Sequence, residues 1–444
     1  MRLTARRTWT AVAAALVLVT GLAGCRSEET PPSGGGDGAI KTDFGVTEEP
    51  CPNAIDSNKG CIYLGIISDL TVGPFAPLAV PITEAQKAFW NRVNKNGGIG
   101  GQYEVDVTTY IRDNKYNPQT HNEVYQEIKP NILALAQTLG SPTTAAILED
   151  LKASSIVAVP ASWTSLWNYE DVILESGANY CIESMNAIDW ARSARPNIQK
   201  VMAVHYPGDY GDDAAAGARY AAETLGLEFV DQRTDPGQDK QDGAIAAILA
   251  ERPDLVILTA APAETAVIVG GIGAQAQQSG YAPMIIGTSP TWNPALLNTP
   301  AKPALEALYF QSGPWSSWGA DTPGHQAMRA ELTPTPDPLS DGYTAGWVWN
   351  YPLKAALEKA FENGDLTRAG VLAAAQSLTS VDYEGMLPEG SGNYAGGPNG
   401  SMVRVTTISK PDASAPTGVS EVQPLTAGPT ASGFQAGPTA CYLS

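Results

Sequence analysis

The chain has 444 residues, with 27 lysines and arginines against 46 aspartates and glutamates, and its formal net charge at pH 7 is −19. A surface this acidic repels nucleic acid, so the composition argues against a nucleic-acid-binding protein. The length exceeds what one small hydrophobic core needs and predicts two lobes.

The N-terminal segment combines positive charge with an apolar run that is too short to span a membrane. Three arginines precede this run, which ends in "LAGC", whereas a spanning helix needs ~20 apolar residues. Ala23 and Gly24 are small, and Cys25 has a thiol that can carry a lipid. The arrangement resembles a bacterial lipoprotein lipobox, which implies a signal peptide at residues 1–24 and a lipid on Cys25. An ordinary leader with an incidental cysteine is the alternative.

Residues 25–50 are rich in glycine, proline, serine, threonine and acidic residues and have almost no apolar pattern. This composition predicts a flexible, solvated linker. No later segment is long and apolar enough to span a membrane. We therefore expect an extracytoplasmic protein that a lipid anchor holds at the cell membrane.

Four cysteines remain besides the lipobox cysteine, namely Cys51, Cys61, Cys181 and Cys441. An even number in an exported protein suggests two disulfides, which can be connected in three ways. The short loop between Cys51 and Cys61 favours that pair and leaves Cys181 with Cys441. Free buried thiols are the alternative.

From residue 61 onward, short β-branched runs alternate with alanine-rich stretches of helical period. The first part predicts strands at 62–68, 103–111, 132–139 and 156–160, and helices at 79–96, 119–128 and 143–153. After residue 181 the pattern restarts, with strands at 200–206, 227–233, 255–259, 284–287 and 307–312, and helices at 212–225, 243–251 and 264–279. A helix-rich region that includes 347–361 follows, and the chain after residue 382 returns to strands and turns. This alternation predicts an α/β fold of parallel sheets wrapped by helices, with ligands at the carboxyl ends of the strands.

Several segments occur in an order that resembles a known family. They read "YLGIISDLTVGPFAPLA", "NKNGGIGGQYEVDV", "RDNKYNP", "HYPGDYGDD" and "RPDLVILTAAPAETAVIVGGIGAQ". Together they resemble the solute-binding proteins of branched-chain amino acid ABC transporters, which have the type I periplasmic binding fold. The resemblance covers residues 61–409 and depends on the ordered set, because no single motif is strong.

The resemblance implies two doubly wound parallel-sheet lobes that close on a ligand like a hinge. The N-terminal lobe is expected at 51–181 plus 314–384 and the C-terminal lobe at 182–313 plus 385–444. Three crossings are expected near 182–184, 312–315 and 384–390. Such a protein delivers a small-molecule ligand to an ABC transporter permease, and we expect it to act as a monomer.

Two loops at the carboxyl ends of predicted strands offer ligand contacts in the first lobe. In the family the first of them grips the ligand's carboxylate and the second makes backbone and hydroxyl contacts. The candidates on the two loops are Ser141, Thr143, Thr144, Ser162, Trp163 and Thr164. Hydroxyls and free N–H groups suit an anionic or polar ligand head, while helix capping is the alternative for the first loop. The tryptophan either walls the pocket or covers the domain edge.

Further candidates follow from the same resemblance. Tyr210 lies in the family's Tyr-Gly turn, where the tyrosine reaches the ligand, although a packed loop aromatic is the alternative. Glu264 lies on another carboxyl-end loop and is either a ligand partner or an exposed acid at a helix start. Phe75, in the first quoted segment, completes this group.

The segment after "PMIIG" departs from the family pattern. Amino-acid binders carry an acid there for the ligand ammonium, whereas residues 288–292 read "TSPTW". A buried ammonium without a counter-charge is costly, which argues against a leucine-like ligand. Ser289, Trp292 and Trp315 are the site candidates in this part of the chain. A carboxylate or amide with an apolar or aromatic body is therefore at least as plausible a ligand as an amino acid. Five tryptophans near the expected cleft support it, unless they fill surface grooves: Trp163, Trp167, Trp292, Trp315 and Trp318.

No motif indicates catalysis, a cofactor or a metal. "NGGIGG" follows a predicted helix and precedes a strand, the reverse of a nucleotide-binding loop. The three histidines are scattered, and no G-x-S-x-G nucleophile elbow occurs. We therefore predict a transport receptor without a cofactor. A ligand-sensing receptor of the same fold, or a secreted lipoprotein hydrolase, remains as the alternative.

Overall fold

Two sheets of mainly parallel strands, covered by helices, dominate the fold. The structure is a computed structural model and describes residues 40–443, without the side chains of Gln277 and Gln278. The predicted signal peptide, Cys25 and the linker as far as residue 39 lie outside the described residues.

The first sheet is built around its longest buried strand. Its strands are β2 (Val46–Thr47), β3 (Gly60–Ser68), β4 (Tyr103–Asp113), β5 (Ala134–Leu139) and β6 (Ala158–Ala161). Strand β4 pairs with one side of β3, β2 and β5 share the other side, and β6 extends the sheet beyond β5. Only the β2–β3 pairing is antiparallel. Strand β5 is fully buried, as expected for a parallel strand with helices on both faces.

The second sheet has seven strands in the order β14–β13–β11–β10–β9–β7–β8. They are β7 (Lys200–His205), β8 (Glu228–Arg233), β9 (Leu255–Thr259), β10 (Met284–Gly287), β11 (Tyr309–Gly313), β13 (Thr406–Pro411) and β14 (Val419–Thr426). Neighbours from β8 to β11 run parallel, whereas β13 and β14 add antiparallel edges. Two short strands, β1 (Lys41–Thr42) and β12 (Asp365–Leu366), pair with each other outside both sheets.

Helices cover both sheets. They are α1 (Ala76–Lys95), α2 (Pro118–Ile128), α3 (Ser141–Ala145), α4 (Leu148–Ala153), α5 (Tyr180–Ala194), α6 (Asp209–Thr224), α7 (Asp242–Glu251), α8 (Pro262–Ser279), α9 (Lys302–Leu308), α10 (Pro323–Glu331), α11 (Gly342–Val348), α12 (Asn350–Glu362), α13 (Arg368–Gln376), α14 (Gly397–Ser401) and α15 (Pro429–Gly433). Among residues 40–443, no helix combines the length and the apolar character needed to cross a bilayer.

Helix α11 packs closely against α1. This contact positions residues that line a cavity between the two sheets. A Cβ atom on Gly346 would lie 2.1 Å from the carbonyl oxygen of Ile82, so only glycine allows this approach. The indole Nε1 of Trp90 donates to Asn350 Oδ1 at 2.8 Å and ties α12 to α1. The residues on α11 are therefore fixed by a helix that lies more than two hundred residues earlier in the sequence.

The predicted α/β alternation is confirmed, since every predicted strand and helix has an observed counterpart at similar bounds. Helices α9, α14 and α15 were not predicted, and two further differences concern helices. The helix predicted at 143–153 is divided into α3 and α4. Helix α5 was not predicted, and it contains the crossing that we expected near 182–184.

The expected crossings are displaced in two cases. Residues 182–184 lie in the first turns of α5, which packs on α6 and contacts β9 and β11 of the second sheet. Near the third expected crossing, Glu384 accepts hydrogen bonds from Arg92 and from Tyr351, so it still belongs with α1 and α12. The chain joins the second sheet only at β13. The expected crossing at 312–315 begins in the last two residues of β11 and continues just beyond its end.

The linker prediction is wrong for residues 41–47, which form β1 and β2. The carboxylate of Asp43 accepts from the backbone N–H of Arg368 at 3.1 Å, and that guanidinium stacks over Phe44 at 4.3 Å. These partners lie 325 residues away from Asp43 in the sequence. Local composition therefore could not reveal that this polar segment is held by strand pairing.

Two disulfides join Cys51 to Cys61 and Cys181 to Cys441. The pairing favoured by the short first loop is thus confirmed. Asp213 lies close to the second disulfide, but both sulfurs are used in the S–S bond and offer no thiolate to a metal.

Candidate ligand-binding site

A cavity lies at the carboxyl ends of strands from both sheets, where the connecting loops meet. It contains ≈ 990 Å³ of space free of atoms, its open mouth included. Eight aromatic side chains line it, namely Phe75, Tyr116, Trp163, Tyr180, Tyr210, Trp292, Trp315 and Trp349. Its polar lining consists of Ser141, Ser162, Ser289, Gln311, Ser317, Ser340, Asp341, Thr407 and Ser409. Within the described chain, this lining includes no lysine, arginine or histidine.

Three tryptophans from distant segments form one wall. The ring centroid of Trp163 lies 4.9 Å from that of Trp349 and 5.1 Å from that of Trp315. The indole N–H of Trp163 donates to the carbonyl of Ser176 at 3.0 Å. The indole nitrogen of Trp349 has no hydrogen-bond partner in the described part of the chain, although the residue is only 1% exposed. This wall therefore presents apolar surface, and one of its tryptophans has an unused donor.

Aromatic rings from segments beside both sheets lie close together on another side of the cavity. Tyr210, on the first turn of α6, lies edge-on to Tyr180 with the centroids 4.8 Å apart. Phe75, just before α1, packs against Tyr116 at 4.8 Å. The hydroxyl of Tyr210 donates to the carbonyl of Ala260 at 3.3 Å, and burial holds the pKa of Tyr210 well above its usual value. Tyr210 is thus a neutral phenol that borders the cavity.

The loop after β5 carries three hydroxyl groups. One belongs to a residue that lines the cavity, and the other two form hydrogen bonds within the protein. Gly140 adopts φ +95, and a Cβ atom there would lie 2.7 Å from the ring of Tyr116. Ser141 follows directly, and its buried hydroxyl finds no partner among residues 40–443. The Thr143 hydroxyl donates to the carbonyl of Gly140 at 2.9 Å, and the Thr144 hydroxyl contacts that of Thr138 at 2.9 Å. Hydrogen bonds within the protein therefore use both threonine hydroxyls, although neither caps the helix.

Four of the predicted ligand contacts do not line the cavity. Thr143 and Thr144 have the internal partners just described. Thr164 Oγ1 accepts from the N–H of Leu166 at 3.5 Å, at the start of a 3₁₀ turn. Glu264 is 5% exposed and accepts from the N–H of Gly237 at 2.9 Å. The other eight predicted contacts all line the cavity: Phe75, Ser141, Ser162, Trp163, Tyr210, Ser289, Trp292 and Trp315.

The segment at 288–292 contains no acidic residue, but its backbone is hydrogen-bonded to a buried glutamate. The N–H of Ser289 donates to Glu183 Oε1 at 2.8 Å. Glu183 lies on α5, is fully buried and does not line the cavity. Burial raises the pKa of Glu183 to about 8, so near neutral pH the group is mostly protonated. It holds the loop but offers little counter-charge to a ligand ammonium.

Two of the five tryptophans named from the sequence lie outside the cavity lining. The indole N–H of Trp167 donates to Ser162 Oγ at 3.1 Å and so orients that cavity-lining serine. Trp318 packs edge-on against Tyr343 with a centroid distance of 6.2 Å. The indole N–H of Trp292, which does line the cavity, donates to the carbonyl of Thr417 at 3.2 Å.

Sequence reasoning missed several residues that line the cavity. They are chiefly Tyr116, Tyr180, Ser340, Asp341 and Trp349. Tyr116 lies within the quoted segment "RDNKYNP" and adopts φ +53, a conformation that its residue type does not indicate. The last three reach the cavity through the packing of α11 on α1, for which the sequence carries no local signal.

The chain is similar to solute-binding proteins of transporters in both sequence and structure. A family profile described as "Periplasmic binding protein" matches residues 62–414. A fatty acid ABC transporter substrate-binding protein from Thermomonospora curvata is 30% identical and has a TM-score of 0.79, and the match covers 90% of this chain and 98% of that one. A branched chain amino acid ABC transporter protein from Thermus thermophilus with bound valine is 17% identical, with a TM-score of 0.69 and coverage of 84% and 98%. No curated protein matches the sequence significantly.

Proposed function

The chain belongs to the periplasmic binding protein family, whose members include the solute-binding proteins of ABC transporters, and we propose that its ligand is an apolar or aromatic carboxylate. The protein is a solute-binding protein of this kind, and the ligand occupies the cavity between its two sheets. It then passes the ligand to the permease of an ABC importer.

The observation that carries this proposal is a buried donor left unused on a residue that lines an aromatic cavity. The indole N–H of Trp349 can only donate, and it has no acceptor in the described chain. The hydroxyl of Ser141 is unpartnered in the same lining. A buried polar group without a partner costs about 1–3 kcal/mol, which a ligand oxygen recovers. A carboxyl or amide oxygen supplies this acceptor, and the aromatic walls suit an apolar body.

The acid that the family's amino-acid binders carry for the ligand ammonium is missing from its usual position. The segment at 288–292 supplies no acid, and Glu183 beneath it is buried outside the lining and mostly protonated. The fatty-acid-binding neighbour is 30% identical, whereas the neighbour with bound valine is 17% identical. Both considerations support an apolar acid over a branched-chain amino acid.

The lobes, hinge and anchor belong to the same proposal. We divide the described chain into two lobes, one around each sheet, that close over the ligand by population shift. Contacts such as Asn293 Nδ2 to the carbonyl of Pro77, at 3.3 Å, then stabilise the closed form. We keep the signal peptide at 1–24, the lipid on Cys25, the extracytoplasmic location and the monomeric state as parts of this proposal.

A thermal-shift screen of the chain from residue 26 tests the ligand class. Ligands that bind only the folded state raise the melting temperature, by an amount that grows with ln(1 + [L]/Kd). The screen compares octanoate, dodecanoate and phenylacetate with leucine, valine and the amides of the three acids. We expect shifts with the carboxylates. A shift with leucine or valine alone would contradict the proposed ligand class.

The Trp349→Phe variant tests whether the ligand accepts a hydrogen bond from the indole N–H of Trp349. Phenylalanine keeps an aromatic ring and removes the N–H, so binding of a carboxylate weakens by about tenfold while the fold is retained. Trp190→Phe is the matched control, because Trp190 packs against Phe310 at 4.8 Å, away from the cavity. Equal affinity in both variants would show that the indole donor does not contact the ligand.

A further inference from the structure

One charged side chain borders the cavity, and the proposed function leaves it unused. Asp341 is the only charged residue among those that line the cavity within the described chain. It lies just before α11, beside Ser340 and Gly342, and all three border the cavity together with Leu78 of α1. A carboxylate in a lining that is otherwise uncharged and rich in aromatic rings calls for a physical reason.

The usual structural reason for an aspartate at this position is absent. Asp341 is the N-cap residue of α11, yet its side chain makes no capping hydrogen bond. An aspartate at an N-cap normally accepts from the second or third N–H of the helix. Here Oδ1 instead accepts from the backbone N–H of Trp318 at 2.9 Å. The carboxylate is thus turned away from its own helix.

The Asp341 carboxylate is held in place and retains acceptor capacity. The carbonyl of Trp318 accepts from Arg329 Nη1 at 2.7 Å, which fixes the segment that holds the aspartate. Burial raises the pKa of Asp341 to about 6, against the opposing effects of the Trp318 N–H and the Thr417 hydroxyl. A carboxylate has about four acceptor positions, so these two partners leave capacity for a ligand.

A second residue at the same place has an unused polar group. Ser340 is 5% exposed and lines the cavity, and its hydroxyl oxygen has no hydrogen-bond partner among residues 40–443. Its backbone carbonyl is used, since it accepts from the N–H of Tyr343 at 3.2 Å. Backbone geometry therefore accounts for the position of Ser340 but not for the unused hydroxyl.

We propose that Asp341, together with Ser340, binds a hydrogen-bond donor on the ligand, so that the ligand is an apolar acid that also carries a hydroxyl or ammonium group. This inference rests on the proposed function and narrows its ligand class. An unsubstituted alkyl or aryl body pressed against Asp341 would strip water from the carboxylate without replacing its hydrogen bonds. Asp341 therefore selects against simple acids and in favour of substituted ones.

Isothermal titration with matched eight-carbon acids tests the inference. The set is octanoate and its derivatives with a hydroxyl or an amino group at carbon 2 or carbon 8. With the wild-type chain from residue 26, we expect at least one derivative to bind about tenfold more tightly than octanoate. A hydroxy acid as the tightest binder indicates a neutral donor, and an amino acid indicates a cationic one.

Variants at Asp341 test whether this residue causes the preference for substituted acids over octanoate. In Asp341→Asn the advantage of the substituted acid falls at least fivefold, because hydrogen bonds to charged groups are about twice as strong as neutral ones, while octanoate binds as before or more tightly. Asp341→Ala provides a second variant, and the melting temperature reports whether each is folded. Asp321→Asn is the control, since Asp321 is exposed and contacts Gln326.

The outcomes separate this inference from the proposed function. If octanoate binds and no derivative binds more tightly, the inference is overturned and the proposed ligand class stands. If the advantage persists in both Asp341 variants, another residue binds the donor and the inference is overturned. If none of the acids binds, the proposed ligand class fails, and this inference fails with it.

Discussion

The ring of Tyr210 meets the ring of Phe75 edge-on, with the centroids 6.1 Å apart and the planes at 82°. Tyr210 lies at the start of α6, beside the second sheet, and Phe75 precedes α1, beside the first. Both rings also line the cavity. One aromatic pair therefore connects segments beside the two sheets at the edge of the cavity, and under the proposed function ligand binding and lobe closure share it.

We expect Tyr210→Ala to weaken ligand binding at least tenfold. The change removes the edge contacts with Phe75 and Tyr180, and aromatic pairs contribute about 0.5–1.5 kcal/mol each beyond buried area. Tyr210→Phe keeps both contacts and loses only the hydroxyl, so its effect is smaller. Tyr220→Ala is the control on the same helix, because Tyr220 packs on Phe434 away from the cavity. Titration calorimetry with the best carboxylate measures all three.

A substitution at Gly140 tests the loop that carries Ser141. In Gly140→Ala the new Cβ lies 2.6 Å from the Thr143 hydroxyl and 2.7 Å from the ring of Tyr116, at φ +95. Gly97→Ala is matched to it, because Gly97 also has a positive φ of +109 but open space around the Cβ position. Backbone strain of about 1–3 kcal/mol affects both variants. Only Gly140→Ala should also weaken ligand binding, and equal affinities would argue against a ligand contact by this loop.

The buried acid Glu183 should make stability depend on pH. Its folded-state pKa is raised to about 8 from 4.5, so between those values the folded state binds more protons than the unfolded state. The free energy of unfolding therefore falls as pH rises from about 4.5 to about 8. In Glu183→Gln this contribution is absent, and the difference between variant and wild type changes by at most about 1.4 kcal/mol per pH unit.

Urea unfolding at pH 5, 6.5 and 8 measures this difference. At pH 5 the protonated glutamic acid and the amide are similar in charge and shape, so the two proteins should be close in stability. At pH 8 the variant should be the more stable of the two. Stability curves that stay parallel over this range would contradict a raised pKa for Glu183.

The two disulfides should differ in their contribution to stability. The pairs are separated by 10 residues for Cys51–Cys61 and by 260 for Cys181–Cys441. Loop-closure entropy predicts about 3 kcal/mol for the shorter loop and about 5–6 kcal/mol for the longer one. Replacing each pair with serines should therefore lower the free energy of unfolding more for Cys181–Cys441. The opposite order in urea unfolding would contradict the entropic estimate.

The sequence predicted the sheets better than it predicted which side chains line the cavity. Strand β9 is a continuous run of β-branched residues and leucine, and β3 is rich in isoleucine and leucine, as burial on both faces favours. The loops that follow β5 and β6 are then located by topology alone. This is why Ser141, Ser162 and Trp163 were correctly placed at the cavity.

The sequence did not reveal which side chains form hydrogen bonds within the protein, nor which residues are brought to the cavity by packing between distant segments. Thr143 resembles Ser141 in type and position, yet its hydroxyl returns to the backbone of its own turn. Asp341 reaches the cavity because α11 packs on α1, an arrangement that no local pattern records. Glu264 is buried in another loop contact, although its position in the sequence suggested the cleft.

The Cys181–Cys441 bond also determines how the chain would carry a mechanical load. A force applied to the two ends of the described chain passes through this bond and bypasses everything between its cysteines. The second sheet lies wholly within that closed ring of covalent bonds, since its strands begin at Lys200 and end at Thr426. Stretching the protein by its ends would therefore unravel the first sheet and leave the second under no tension until the disulfide is reduced.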